Sequence, residues 1–290
     1  MREAARTLFG GESDFLIGVN GSYARREATG GSDVDVFFLA TDSDESSLEP
    51  KQDALWSYLQ DHHDMRPPAA DGVFKDPLSV ETICRIGGRN DSNDTITRRM
   101  LLLLEGEWVF NEGAFHDVKH KLLKRYLYDQ PGEDKICLFL LNDIIRYWRT
   151  MCVDYEHKVS CGDKPRRIRL VKLRFARMLL YVSGVMAIGQ GYELPYKEKI
   201  AKLRTLFGTY PLDRVQSVVG GKAVSALEHY AGFLEALDTP DSRDALDQED
   251  GKCEVFEDMR SRARAFRDDL LGVLQEHFAD QNPTIRALLL

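Results

Sequence analysis

The most informative part of the sequence is residues 17–39, which read IGVNGSYARREATGGSDVDVFFL. An apolar run ends at Val19 and is followed by Asn20-Gly21-Ser22, and a second apolar run begins at Val36. Apolar runs separated by glycine and polar residues predict a strand, a tight turn and a second strand.

Two aspartates, Asp33 and Asp35, stand where the second strand opens. In an extended strand successive side chains point to opposite faces, so the two carboxylates share one face while Val34 and Val36 enter the core. Paired carboxylates are hard oxygen ligands, which suit Mg²⁺ bound together with substrate phosphates. Two such ions about 3.5–4 Å apart clamp the attacking and leaving oxygens of a phosphoryl displacement. We therefore predict that Asp33 and Asp35 are catalytic residues and metal ligands.

The Gly21-Ser22 pair supplies the complementary half of such a site. Glycine lets the backbone come close to a ligand, and amide groups at the start of a helix or in a nest favour phosphate oxygens. We predict that Gly21 and Ser22 bind the nucleotide.

The order Gly-Ser, ten intervening residues and Asp-apolar-Asp-apolar resembles the signature of the DNA polymerase beta-like nucleotidyltransferase superfamily. The surrounding residues are similar to the Gly-Ser-x-Ala-Arg…Ser-Asp-x-Asp run of its small bacterial branch, namely Ser22, Tyr23, Ala24, Arg25, Ala28, Ser32, Asp33 and Asp35. One departure is Arg26, where that branch usually carries glycine. The resemblance implies two Mg²⁺ ions, with Mn²⁺ as the alternative, and a nucleoside triphosphate whose β- and γ-phosphates are held at Gly21 and Ser22.

The resemblance also implies a third carboxylate on a neighbouring strand. Asp71, which precedes an apolar pair, is the first choice as a catalytic residue, and Glu81 is the second. Each is equally well explained as a turn or surface acid. Short strands are expected around residues 72–74 and 82–86.

Length and composition bound the remaining possibilities. With 290 residues, of which 43% are hydrophobic, the chain is expected to form two domains. The net charge of −8 argues against a generally basic nucleic-acid-binding protein, although a local basic patch remains compatible with it. Five cysteines without a C-x-x-C pair indicate neither a disulfide framework nor a zinc ribbon. We expect a cytoplasmic protein without a membrane segment.

The hydrophobic pattern divides the chain near Gln130-Pro131-Gly132. Strands alternate with helices before this break, and the pattern after it is wholly helical. We predict a nucleotidyltransferase domain over 1–130, of α/β (α+β) class with a small mixed sheet, and an all-α helical bundle over 131–290 that resembles a substrate-binding domain. In the second part we expect one helix over 211–237 and a mobile acidic linker, DTPDSRDALDQEDG, after it.

Four basic residues complete the set of predicted nucleotide-binding side chains: Arg25, Arg98, Arg146 and Lys172. Arg98 and Arg99 lie in the first turns of a helix predicted over 95–104 and capped by Asp94 or Thr95, where a solvated face is the competing interpretation. Lys172 belongs to the basic run 166–177, which either grips phosphates of a nucleotide or RNA or lies along a bundle surface beside acids.

These observations predict an enzyme that transfers a nucleoside monophosphate from a triphosphate to an acceptor hydroxyl and releases pyrophosphate. A small molecule or a protein hydroxyl is preferred to RNA as the acceptor because the net charge is negative. The alternatives are a regulatory, non-catalytic nucleotide-binding module and the nucleotidyltransferase component of a toxin–antitoxin pair, in which the acidic linker or the Trp148 helix would meet the partner.

Overall fold

A computed structural model of the chain describes residues 1–42, 44–63, 65, 76–87, 91–162, 165–248, 251–278 and 282–288. The chain divides into two compact units, Met1–Tyr128 and Asp129–Leu290. The first contains a four-stranded sheet, and the described part of the second is helical. The predicted fold class is therefore confirmed: an α+β region with a small mixed sheet precedes a helical region.

The first unit is built around the sheet order β3-β2-β1-β4. Strand β1 is antiparallel to β2 and β4, and β2 is parallel to β3. The strands are β1 Phe15–Asn20, β2 Asp35–Ala40, β3 Leu78–Ser79 and β4 Glu107–Phe110. The helices are α1 Arg2–Phe9, α2 Gly21–Ala24, α3 Glu49–His63, α4 Val80–Cys84, α5 Asn93–Leu104 and α6 Glu112–Tyr126.

The pairing of β1 with β2 fixes the site. Its register runs from Phe15 opposite Ala40 to Asn20 opposite Asp35. One face of the pair packs on α1 and α3 through a buried aromatic group in which Phe9 meets Phe15 edge-on at 5.4 Å between ring centroids. The apolar face thus locks the register, because a slip of one residue would turn every core side chain to the other face.

Two local predictions for this unit are wrong. The strand expected at 82–86 is helix α4, which begins there because the Ser79 side chain accepts a hydrogen bond from the Thr82 amide. The cap of α5 is Ser92, which accepts from the Thr95 amide, and not Asp94 or Thr95. The strand expected at 72–74 lies outside the described residues.

The second unit contains nine described α-helices, a π-helical segment and a 3₁₀ turn: α7 Leu138–Ser160, α8 Arg166–Lys172, the π segment Leu173–Arg177, α9 Met178–Gly189, α10 Tyr196–Phe207, α11 Pro211–Val219, the 3₁₀ turn Gly220–Ala223, α12 Val224–Asp238, α13 Pro240–Asp247, α14 Glu254–His277 and α15 Thr284–Ala287. Phe175 stacks on Phe233 at 4.8 Å and on Phe266 at 5.2 Å between ring centroids. These contacts join the π segment to α12 and α14.

Two further predictions are corrected in this unit. The helix expected over 211–237 is broken because Gly220 adopts φ 59, a left-handed conformation that glycine accepts without steric cost. The acidic segment expected to be a mobile linker forms α13, which opens with Pro240 and buries Leu246 completely. None of the described helices is long and apolar enough to cross a membrane.

Arg99 on α5 is wholly buried and not solvated as the competing interpretation expected. Its Nη2 donates to both Asp91 carboxylate oxygens, at 2.7 and 2.6 Å, and its Nε donates to the Tyr126 hydroxyl at 3.1 Å. Burial lowers the pKa of Arg99, but the bonds to Asp91 and Tyr126 outweigh it and raise the pKa above its usual value. Arg99 is therefore a structural cation.

Replacing Asp91 with asparagine should destabilise the first unit strongly. The Asp91→Asn variant leaves the Arg99 guanidinium buried without its counter-charge, which costs about 3–5 kcal/mol of unfolding free energy. Denaturant unfolding followed by circular dichroism measures the loss. Glu81→Gln is the matched control, since the Glu81–Arg85 pair is exposed, and it should cost less than about 1 kcal/mol. Equal losses in the two variants would contradict a structural role for the buried pair.

Candidate active site

The Gly-Ser turn follows directly from the end of β1. Gly21 starts the single helical turn α2 with φ 72. A Cβ atom added to Gly21 would lie 2.5 Å from Asp35 Oδ2, a distance that real Cβ atoms do not show. A side chain at position 21 would therefore displace the Asp35 carboxylate, and glycine also accepts the positive φ without steric cost.

The burial of residues 33–36 alternates as the sequence predicted. Val34 and Val36 are buried, whereas Asp33 is exposed and Asp35 is half-buried. Strand β2 begins only at Asp35, so Asp33 precedes the strand and was wrongly expected inside it. The two carboxylates nevertheless lie away from the core that holds both valines.

The buried carboxylate of Glu105, the residue directly after α5, holds the turn in place. Glu105 Oε1 accepts from the Gly21 amide at 3.0 Å, and Oε2 accepts from Arg25 Nη1. Arg25 Nε donates to Glu27 Oε2 at 2.7 Å. The Glu105 side chain is fully buried, so these charge-assisted bonds are shielded from water. The backbone of the turn is thereby fixed to α5.

This network changes the interpretation of two predicted nucleotide-binding residues. The Gly21 amide already donates to Glu105, and the Arg25 side chain is only 8% exposed and lies between two carboxylates. Both residues therefore help to position the turn, and the nucleotide-binding roles of Gly21, Ser22 and Arg25 stay predictions. Arg26 stands where the small bacterial branch usually carries glycine. Its φ is 63, a conformation that glycine adopts most easily.

Asn20, the last residue of β1, lies beside Asp35. It is 1% exposed, and neither amide atom has a hydrogen-bond partner in the described part of the chain. Because Asn20 is directly opposite Asp35 in the antiparallel register, the two side chains share one face. A buried unsatisfied amide costs about 1–3 kcal/mol. Carboxylate and amide oxygens are hard ligands of the kind that Mg²⁺ binds, both alone and in complex with a nucleotide. The side chains of Asn20, Asp33 and Asp35 therefore fit a divalent cation.

The third carboxylate is not found among the described residues. Asp71 lies outside them. Glu81 is exposed on α4 and pairs with Arg85 at 2.9 Å. No group of three or more His, Cys, Asp or Glu side chains that could hold a metal occurs where the structure is described, so Glu81 does not join Asp33 and Asp35.

The other residues predicted to bind the nucleotide are Arg98, Arg146 and Lys172. No hydrogen bond among the described residues connects them to the Gly-Ser turn. Arg98 Nη1 donates to the Asp76 carbonyl at 3.2 Å. Burial lowers the pKa of Arg98, while Asp76, Asp94 and Glu45 act in the opposite direction. In the second unit, Arg146 lies 3.4 Å from the buried Asp143 carboxylate, and Lys172 is exposed at the end of α8. Their nucleotide-binding roles stay predictions.

Sequence reasoning missed Asn20, Glu27 and Glu105. Asn20 was read as a turn residue, although a polar residue at the end of a buried strand and next to a glycine is a signal for a site. Glu105 is separated from Gly21 by 84 positions. The pairing of β4 with β1 brings the end of α5 to the turn, and no local sequence pattern predicts this contact.

The close contact at Gly21 gives a direct test of the site. Gly21→Ala should displace the Asp35 carboxylate and cost about 1–2 kcal/mol, since the added Cβ also disfavours a positive φ. The thermal stabilisation by Mg²⁺ and nucleoside triphosphate should be lost, whereas about 100 Kd of ligand adds about 2.7 kcal/mol to the unaltered protein. Gly30→Ala is the control, because nothing lies within 4 Å of its added Cβ. An unchanged ligand shift in Gly21→Ala would place the site elsewhere.

Comparison with known families agrees with this geometry. Residues 1–88 match the family model described as a nucleotidyltransferase domain. A comparison of the chain with curated proteins gives no match. The matched region contains β1, β2, the Gly-Ser turn and both aspartates. The N-terminal region of this chain is a nucleotidyltransferase domain of the DNA polymerase beta-like superfamily, a family of transferases.

Proposed function

We propose that the protein transfers a nucleoside monophosphate from a nucleoside triphosphate to an acceptor hydroxyl and depends on a divalent metal for this reaction. The acceptor oxygen forms a bond to the α-phosphorus, and the bond from the α-phosphorus to the bridging oxygen of the β-phosphate breaks. Pyrophosphate leaves, and the hydroxyl proton passes to a base. Asp71 is our proposed base, as the sequence predicts.

The observation that carries the proposal is the contact of the Asp35 carboxylate with the backbone at Gly21. Asp35, the proposed metal ligand, thus lies directly beside the turn that receives phosphates in this family, which supports the proposal. Asp33, exposed on the same side of the segment, supplies the second carboxylate. When bound, Mg²⁺ or Mn²⁺ at Asp33 and Asp35 neutralises charge on the phosphates and polarises them.

The residues of the chain have distinct tasks in this proposal. The Ser22 hydroxyl and amide bind the β- and γ-phosphates, and Asn20 contributes an amide on the face of Asp35. Glu105 and Arg25 keep the turn rigid before substrate arrives, which suits phosphoryl transfer because its rate comes mainly from positioning and electrostatic stabilisation. Arg98, Arg146 and Lys172 remain proposed phosphate contacts, and residues 131–290 are the proposed acceptor-binding region of a cytoplasmic enzyme.

The choice of acceptor follows the overall charge of the chain. A net charge of −8 favours a hydroxyl on a small molecule or a protein over RNA as the acceptor. For the toxin–antitoxin alternative, the acidic segment is helix α13, which buries Leu246 and leaves Asp241 and Asp247 exposed. Trp148, in the other proposed surface, is half-buried and stacks on Tyr181 at 5.5 Å between centroids.

Removing either carboxylate charge should abolish transfer while the fold persists. Asp33→Asn and Asp35→Asn keep the side-chain shape and remove the negative charge of a proposed metal ligand. We expect label transfer from each α-³²P-labelled triphosphate into cell extract to fall roughly 10²–10³-fold, as the loss of several kcal/mol of charge stabilisation requires. Separation of the extract into RNA, protein and small solutes identifies the acceptor.

Asp42→Asn is the matched control because Asp42 is exposed just beyond the other end of β2, and it should transfer label normally. Circular dichroism should show the fold unchanged in all three variants. Transfer at the normal rate in Asp33→Asn and Asp35→Asn would overturn the proposed site. Nucleotide-dependent stabilisation of the unaltered protein without any label transfer would favour the regulatory binding module.

A further inference from the structure

Helix α14 carries a row of arginines along one face. Phe256, Arg260, Arg264 and Arg267 follow one another at spacings of four, four and three residues, which places them on the same side of a helix. The row from Arg260 to Arg267 is about 10 Å long at 1.5 Å per residue. Phe256 and Arg260 are half-buried, whereas Arg264 and Arg267 are exposed.

The segment containing α8 and the π-helical turn adds two more guanidinium groups to this row. Arg167 lies 5.8 Å from the centroid of the Phe256 ring, the same distance as Arg260. Arg174 lies in the π segment, which packs on α14. π-helical turns inside helices are rare and occur frequently at functional sites. We call Arg167, Phe256, Arg174, Arg260, Arg264 and Arg267 the arginine surface.

The positive charge of the arginine surface is poorly compensated. Arg260 pairs with Glu257 at 3.0 Å and Arg267 with Asp268 at 2.7 Å, but both pairs are exposed and contribute little. Neither Arg174 nor Arg264 has a hydrogen bond or an ion pair to any side chain in the part of the chain that the structure describes.

The lowered pKa of Arg174 also indicates uncompensated positive charge at the arginine surface. Burial lowers the pKa of Arg174, and Arg260, Arg264 and Arg267 lower it further, while Tyr155 alone raises it. No carboxylate is among these causes. Four arginines therefore repel one another at one place in the fold, and an anionic ligand would relieve that repulsion.

We propose that the arginine surface binds a single strand of nucleic acid through its phosphates. Guanidinium groups match phosphate oxygens in a bidentate manner and stack on planar rings, which lysines do not. A row about 10 Å long can contact more than one phosphate of an extended chain. The half-buried phenyl ring of Phe256 and the arginines beside it offer flat surfaces for bases, the combination that single-strand-binding proteins use.

The overall charge of the chain does not contradict this surface. The acidic and basic side chains of residues 129–290 nearly cancel, and the negative charge belongs almost entirely to residues 1–128. The proposal is independent of the transferase site: the bound strand need not receive the nucleotide, and neither Asp33 nor Asp35 takes part.

The test measures the binding of a fluorescein-labelled strand of about 15 nucleotides, as RNA and as DNA, to the full-length protein by anisotropy at several salt concentrations. The unaltered protein should bind with an affinity that falls as salt rises. In the Arg264→Ala/Arg267→Ala variant Kd should rise about 10-fold or more, and the slope of log K against log salt should shrink by about 1.4, since single strands lose about 0.7 per phosphate contact.

Arg262→Ala is the matched control because Arg262 lies on another face of α14 and pairs with Asp258 at 2.8 Å. It should leave Kd and slope unchanged. Arg264→Gln, a single exposed change, repeats the test if the double variant unfolds. The proposal fails if the protein does not bind the strand, if Arg262→Ala weakens binding equally, or if polyglutamate or tripolyphosphate displaces the strand as well as an unlabelled strand at equal charge.

Discussion

The contact between the Asp35 carboxylate and the Gly21 backbone joins the two halves of the N-terminal site. It exists because Asn20 and Asp35 are opposite each other at the end of the β1–β2 pair, where the chain turns with a positive φ. Any side chain at position 21 would push the carboxylate away. The register, in turn, is held by the apolar face that β1 and β2 present to α1 and α3. The geometry of the site therefore depends on the packing of the core.

Glu105 extends this constraint beyond the strand pair. Burying a charged carboxylate away from water costs folding free energy unless the carboxylate is well paired. The two oxygens of Glu105 accept hydrogen bonds from the Gly21 amide and from Arg25. The turn that carries Ser22 is consequently fastened to the end of α5. Such a rigid support behind the proposed phosphate-binding turn lowers the reorganisation required when the substrate binds. Arg25, identified from its match to the family signature, bonds to Glu27 and Glu105 in the structure, and its contact with a nucleotide stays a prediction.

Much of the first unit could be predicted from the sequence because its signals are local. The alternation Asp33-Val34-Asp35-Val36 gives the burial pattern, and Gly21-Ser22 after an apolar run gives the turn. Glu105 could not be predicted, since only strand pairing brings it to Gly21. The 82–86 segment was misread as a strand because its apolar residues also suit a helix once Ser79 supplies the cap. The acidic segment was misread as a linker because Leu246, the buried residue of α13, has no periodic neighbours that mark it in the sequence.

The central claim is that Asp33 and Asp35 together hold the metal beside the Gly-Ser turn. A crystal of the full-length protein with Mn²⁺ and a non-hydrolysable nucleoside triphosphate tests it directly, because anomalous scattering locates the ion independently of the protein coordinates. We expect an anomalous peak about 2.0–2.3 Å from oxygens of both Asp33 and Asp35, with triphosphate oxygens completing the coordination. A peak bound by neither carboxylate, with the nucleotide away from Ser22, would contradict it.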